Sequence, residues 1–287
     1  MEKTLKLHYA RLQNMGDLLN PMIVERCFGC KTERNSFLTS EMCAIGSCLG
    51  QYCYHGNILM RIRQFFNGFK VPHVYVWGTG FINYDDCKSH FFKRDMEFLA
   101  VRGELTRKNL ERMTGKTLNI PTGDAGVLAP ILLDETPEKK YDIGVIPHIC
   151  DLEEETVSNT IKAYDNVLFI NVKDDPLEVI KQIAQCRNII SSSLHGLIVA
   201  DAYNIPNMHV VFSDKPKGDG YKYDDYYSAY GVSHQCLDLR EKAAPSIEKI
   251  RNSYQITKEI VDEKKRIMLN TFPKEFVTSG VNLDGLF

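Results

Sequence analysis

The sequence predicts an α/β protein built on mainly parallel sheets, and three observations predict it. Short apolar runs alternate with segments of helical period along the chain. Several of those runs end in glycine or small polar residues, where a strand gives way to a helix. After a charged, proline-containing stretch, LDETPEKKYD at 133–142, the alternation starts again. Two Rossmann-like halves facing each other are therefore expected, over residues 1–135 and 141–287, with a ligand in the cleft between them.

In the first half LKLHYA (5–10) reads as a strand, and NPMIVERCFG (20–29) as a helix capped by Asn20 with Pro21 in its first turn. MCAIGS (42–47) and HVYVWGTG (73–80) are further apolar runs, and FLAVRG (98–103) leads into ELTRKNLERMTG, a helix that stops at Gly115. In the second half IGVIPH, NVLFINV, RNIISS and MHVVF supply strands, with LEVIKQIAQC and LHGLIVADAYN as helices between them. YQITKEIVDEKKRIMLN (254–270) reads as a charged amphipathic terminal helix. Alternation of this kind covers a parallel sheet on both faces.

Composition narrows the function. An apolar fraction of 44%, a charged fraction of 25% and a net charge of -2 describe an ordinary globular protein. The 35 basic residues are balanced by 37 acidic ones without a basic tail, which argues against bulk nucleic-acid binding. MEKTLKLHYARL lacks the apolar core of a secretory signal, and no stretch reaches the ~18 apolar residues of a membrane span, so a cytoplasmic protein is expected. Nine cysteines, an odd number, read as reduced packed thiols. The CxxC of Cys27 and Cys30 lacks the second pair that structural zinc wants, and Cys43, Cys48 and Cys53 follow at irregular spacing, so no metal is expected.

Ligands of open parallel sheets bind beyond the carboxyl ends of the strands. Arg102 follows the strand FLAV and precedes a helix, whose N-terminal amides favour an anion; an ion pair with Glu97 or Glu104 is the plainer use of its side chain. His195 takes the equivalent place in the second half, after Ser191, Ser192 and Ser193, whose hydroxyls either cap the helix or donate to oxygens. A charged His195 there opposes the helix dipole and asks for an anion. Across a closed cleft Arg102 and His195 are expected to hold one small polyanion. GDGYKYDDYYSAYG (218–231) sets Lys222 among tyrosines, suited to a phosphate or carboxylate beside a sugar, against the plainer reading of a solvated turn with core aromatics. Lys215 and Lys217 are alternative cationic arms. Asp17, in NMGDLLN (14–20), stands at the first helix as a cap or a catalytic carboxylate.

Taken in order, NMGDLLNP, VYVWGTGF, AVRGELTR, TGDAGVLAP, SSSLHGLIVADAYNIP and YKYDDYY resemble the polysaccharide pyruvyl transferase family, over about three quarters of the chain. AVRG-x-LT and SS-x-LHG together carry most of the specificity. The resemblance implies a GT-B-like fold and transfer of a pyruvyl group from phosphoenolpyruvate, the co-substrate, to a sugar, with no cofactor. It associates Arg102, His195 and Lys222 or Lys215 with donor binding, which Ser192 and Ser193 are expected to join. Ketal formation needs an acid and a base, and these are expected to be His195, protonated beside the phosphate, and Asp17, orienting or deprotonating the acceptor. Asn14, Asn20 and Tyr226 fall on the acceptor side. Many relatives carry arginine where this chain has Ser193, so a donor contact is either missing or supplied by Lys215 or Lys217.

The family acts on hexoses of bacterial capsule, exopolysaccharide or cell-wall polymers, often lipid-linked, which implies an enzyme visiting the inner face of the membrane. NILMRIRQFFNGFKV (57–71) has the basic and phenylalanine residues of an interfacial helix, or of a buried helix with a charged edge. Two alternatives stay open: a GT-B glycosyltransferase using a nucleotide sugar, and a non-catalytic sugar-binding member of the same pathway.

Overall fold

The computed structural model describes residues 4–10, 12–53, 59, 62, 73–86 and 94–283. Its strands are β1 (Leu5–His8), β2 (Thr32–Asn35), β3 (Met42–Cys43), β4 (Val74–Trp77) and β5 (Met96–Ala100), then β6 (Ile143–Ile146), β7 (Val167–Phe169), β8 (Ile189–Ser191), β9 (Asn207–Val211) and β10 (Cys236–Asp238). They form two five-stranded sheets, ordered β2-β1-β3-β4-β5 and β10-β9-β8-β6-β7, in which every pairing is parallel. The two orders share one topology. In each sheet the second strand lies outside the first and the rest step away on the other side, so a crevice opens between β1 and β3 and another between β6 and β8. The expected pair of Rossmann-like units with parallel sheets is what the chain forms.

The helices are α1 (Met15–Phe28), α2 (Glu104–Thr114), α3 (Glu155–Ile161), α4 (Pro176–Ala184), α5 (Leu194–Ala202), α6 (Tyr221–Ser228), α7 (Ile247–Ser253) and α8 (Lys258–Thr271). Helix α1 begins at Met15 with Asn14 in the cap position, so Asn20 is not its cap and Pro21 lies inside it. Pro21 has no N–H for the Asp17 carbonyl one turn earlier. Asn20 compensates: its Nδ2 donates to Asp17 O at 3.0 Å. The same amide clamps the turn after β3, donating to Ile45 O at 3.2 Å and accepting from Ile45 N at 2.9 Å.

Further elements escaped the pattern: β2, β10, α3, α6 and α7. β2 is the polar edge strand TERN, which buries too little apolar surface to announce itself. Residues 218–231 contain helix α6 rather than an open turn. The terminal helix α8 crosses back onto the first sheet: Trp77 Nε1 donates to Met268 O at 3.0 Å, and Phe272 stacks on Phe28 at 3.7 Å. One apolar core consequently runs through both halves. The segment 57–71 lies outside the described residues apart from Leu59 and Ile62. No helix among the described residues is long and apolar enough to cross a membrane.

Candidate active site

The serine run forms the lip of the second crevice. Ser191 Oγ donates to Ile146 O at 2.9 Å and accepts from Ser193 N at 2.9 Å. Ser192 Oγ donates to Asp151 Oδ2 at 2.7 Å and accepts from His148 N at 2.8 Å, while its carbonyl takes the Tyr223 hydroxyl at 2.7 Å. These two hydroxyls build the turn rather than cap α5. Ser193 occupies the cap position without a capping bond, and its hydroxyl has no partner among the described residues. His195 follows in the first turn of α5 and packs on Gly16 of α1, where a β-carbon would stand 2.2 Å from Nδ1. Only glycine admits the ring. His195 Nε2 is enclosed and unpartnered. Burial, then the charges of Lys222 and Arg102, hold the imidazole down at about 3. At that value the ring is neutral near pH 7.

Arg102 lies just beyond β5, the edge strand of the first sheet, and is wholly buried. Its Nε pairs with Asp225 Oδ2 at 2.9 Å, Nη2 donates to Phe81 O at 2.6 Å and Nη1 to Ser47 Oγ at 2.6 Å. Neither Glu97 nor Glu104 takes it; Glu104 pairs with Arg107 instead. Asp225 also accepts from Thr106 N and Thr106 Oγ1, both at 2.7 Å, so α6 supplies the N-terminal bonds of α2. Gly103 permits that approach: a β-carbon there would stand 1.7 Å from Asp225 O. Arg102 is the post on which α6 hangs, and α6 carries Lys222 one turn before Asp225.

Lys222 Nζ lies 5.0 Å over the Tyr223 ring and has no ion pair among the described residues. Burial, then Arg102, lower its pKa to about 8. Lys222 lines a cavity of about 240 Å³ with Ser192, Asp151, Ser213, Lys217 and His234. Arg102 and His195 stand outside this wall, yet the Arg102 charge acts on Lys222, and both charges act on His195.

The remaining expected residues divide. Asn14 Nδ2 donates to Asp17 Oδ2 at 3.1 Å in the first turn of α1, and burial raises the Asp17 pKa against that bond. Asn20 is enclosed with its amide spent on backbone, which corrects its placing on the acceptor side. Tyr226 is corrected likewise: it is buried and donates to Asp201 Oδ2 at 2.7 Å. Lys215 is exposed and paired with Glu154, away from the buried cations; Lys217 keeps a place at the cavity rim.

Asp124 was not read from the sequence, although TGDAGVLAP contains it. It caps the 3-10 segment Ala125–Leu132, with Oδ1 accepting from Gly126 N at 2.8 Å and Oδ2 enclosed without a partner. Burial outweighs that bond and the Arg102 charge, and its pKa rises to about 7. A β-carbon on Gly126 would stand 3.1 Å from Asp124 Oδ1 and 3.8 Å from His195 Cδ2, so carboxyl and imidazole share one neighbourhood. A chain of short contacts, Asp224 Oδ1 to His234 Nδ1 at 2.7 Å and His234 Nε2 to His209 Nδ1 at 2.8 Å, lies along the cavity wall. No spacing in the sequence announces it.

Two Rossmann-like units, with a buried lysine that has no ion pair among the described residues, a histidine and a carboxyl whose pKa values burial shifts, define a GT-B-like protein. The chain belongs to the polysaccharide pyruvyl transferase family, whose model matches residues 46–214. It is 34% identical over 161 residues to an uncharacterized protein of Acanthamoeba polyphaga mimivirus, covering 55% of each chain. It is 26% identical over 175 residues to the succinoglycan biosynthesis protein ExoV of Rhizobium meliloti (strain 1021), covering 58% of this chain and 50% of that one. The matches thus span about half the length of these curated relatives.

Proposed function

We propose that the protein transfers the pyruvyl group of phosphoenolpyruvate to a hydroxyl pair of a hexose in a polysaccharide precursor, forming a ketal, with a lipid-linked acceptor at the membrane surface. The observation that supports this most is Lys222, a largely buried cation without an anionic partner, with Arg102 close enough to depress its pKa. Such a site favours a compact anion with more than one negative group. Phosphoenolpyruvate has a phosphate and a carboxylate on three carbons. Lys222, Lys217 and the unbonded Ser193 hydroxyl are the donors for it, while Arg102, occupied by Asp225, contributes its field and anchors α6.

Environment sets the proton roles. His195, neutral, accepts the proton of the first sugar hydroxyl as its oxygen attacks C2. Asp124, which keeps its proton near neutrality, delivers it to the vinyl CH₂. His195 returns its proton to the departing phosphate, and the second hydroxyl closes the ketal, giving its proton to Asp124. Asp17, held by Asn14, orients the acceptor. The step uses no cofactor.

Thermal shifts with phosphoenolpyruvate and with nucleotide sugars, followed by phosphate release with lipid-linked hexose acceptors, test the reading. Stabilisation by phosphoenolpyruvate that disappears in Lys222→Met is expected. Stabilisation by a nucleotide sugar alone assigns the chain to glycosyl transfer; no response to either donor leaves a sugar-binding role.

A further inference from the structure

The register of the first sheet sets His8 of β1 beside Cys43 of β3, at the switch point of that sheet. After the turn 44–47 the chain brings Cys48 back to the same place. One ring nitrogen and two sulfurs then lie within 4.8 Å of one another. All three side chains are buried, and both cysteines are free thiols. From this juxtaposition we propose a metal site: a zinc ion bound by His8, Cys43 and Cys48.

The donor set selects the ion. Two thiolates and an imidazole suit zinc or monovalent copper. In an enclosed site two thiolates neutralise Zn²⁺, whereas Cu⁺ leaves a buried negative charge. Zinc bonds of about 2.3 Å to sulfur and about 2.0 Å to nitrogen ask the three atoms to close by roughly 1 Å, within reach of side-chain rotation. The histidine is already held as metal-bound histidines are held. Its Nδ1 lies 3.0 Å from the Tyr52 hydroxyl, which lies 3.0 Å from Ser40 Oγ, and this leaves Nε2 for the ion. Three protein ligands leave the fourth tetrahedral position to a water.

The ion closes the turn 44–47, whose other ties lead to the cleft. Ile45 is clamped by Asn20, Gly46 O accepts from Thr79 Oγ1 at 2.9 Å, and Ser47 Oγ holds Arg102. Zinc therefore stiffens the turn that positions the Arg102 guanidinium. This proposal is independent of the pyruvyl-transfer reading.

Elemental analysis of the full chain, expressed with zinc supplementation and dialysed, is expected to find about one zinc per protein. Cys43→Ser and Cys48→Ser each reduce it at least tenfold, while Cys186→Ser, a buried thiol elsewhere, retains it. Because a ligand variant that misfolds also loses zinc, wild-type protein is unfolded with chelator and refolded with Co²⁺. A thiolate-to-cobalt charge-transfer band is the expected result. Zinc below about a tenth of an equivalent together with no cobalt band overturns the site, as does a Cys43–Cys48 disulfide in its place. An equivalent of copper overturns the choice of zinc.

Discussion

At the residue scale, Asp124 and His195 pull the pH dependence of stability in opposite directions. The Asp124 carboxyl, raised from 3.8 to about 7, makes its contribution below its unfolded pKa and loses it as pH rises toward 7. His195, lowered from 6.5 to about 3, contributes fully above 6.5 and less as pH falls toward 3. Asp124→Asn removes the first effect. The variant is expected to be more stable than the wild type at pH 8, by on the order of 4 kcal/mol at most, and the advantage shrinks on acidification and vanishes near pH 4. Denaturant melts at pH 4, 6 and 8 check this. Activity should fall by more than tenfold in the same variant, because the group that is costly to bury ionised is the proposed acid. TGDAGVLAP shows where this aspartate stands in the chain, but its burial follows from packing among distant elements.

At the element scale, α6 carries two residues with opposite duties. Asp225→Ala leaves a buried guanidinium unpaired and strips Thr106 of its acceptor, so a loss of about 3–5 kcal/mol in urea unfolding is expected. Lys222→Met removes a buried cation that has no partner, so its melting temperature should hold or rise while phosphoenolpyruvate binding is lost. Equal destabilisation by both would place Lys222 in the scaffold. Helix α1 bears on the site through Gly16: in Gly16→Ala the new methyl collides with the His195 ring, and activity should drop at least tenfold in a protein that still folds. Circular dichroism beside turnover separates these effects. The pattern YKYDDYY does not announce a helix, because its apolar positions are tyrosines and its register is settled by the bonds that Asp225 accepts from α2.

At the scale of the whole molecule, α8 binds the end of the chain to the first sheet. Trp77, the single tryptophan, reports on that contact, since Met268 O takes its N–H and the Phe272 ring meets it edge-on at 5.1 Å. Phe272→Ala should cost about 3–5 kcal/mol and shift Trp77 emission to longer wavelength, measured by fluorescence and by denaturant titration. An unchanged spectrum would show that α8 does not shield the indole.

The order of apolar runs determined the parallel sheets, and the strand-to-helix junctions located Arg102 and His195 beside the crevices, because both signals are local and repeat with the period of the backbone. Whether those side chains are free, paired or charged was decided only by the tertiary structure. Arg102 meets Asp225 across a separation of 123 residues, and the neutrality of His195 comes from burial against α1 and from cations on two other elements. Electrostatics acts through space, and the sequence lists neighbours only along the chain.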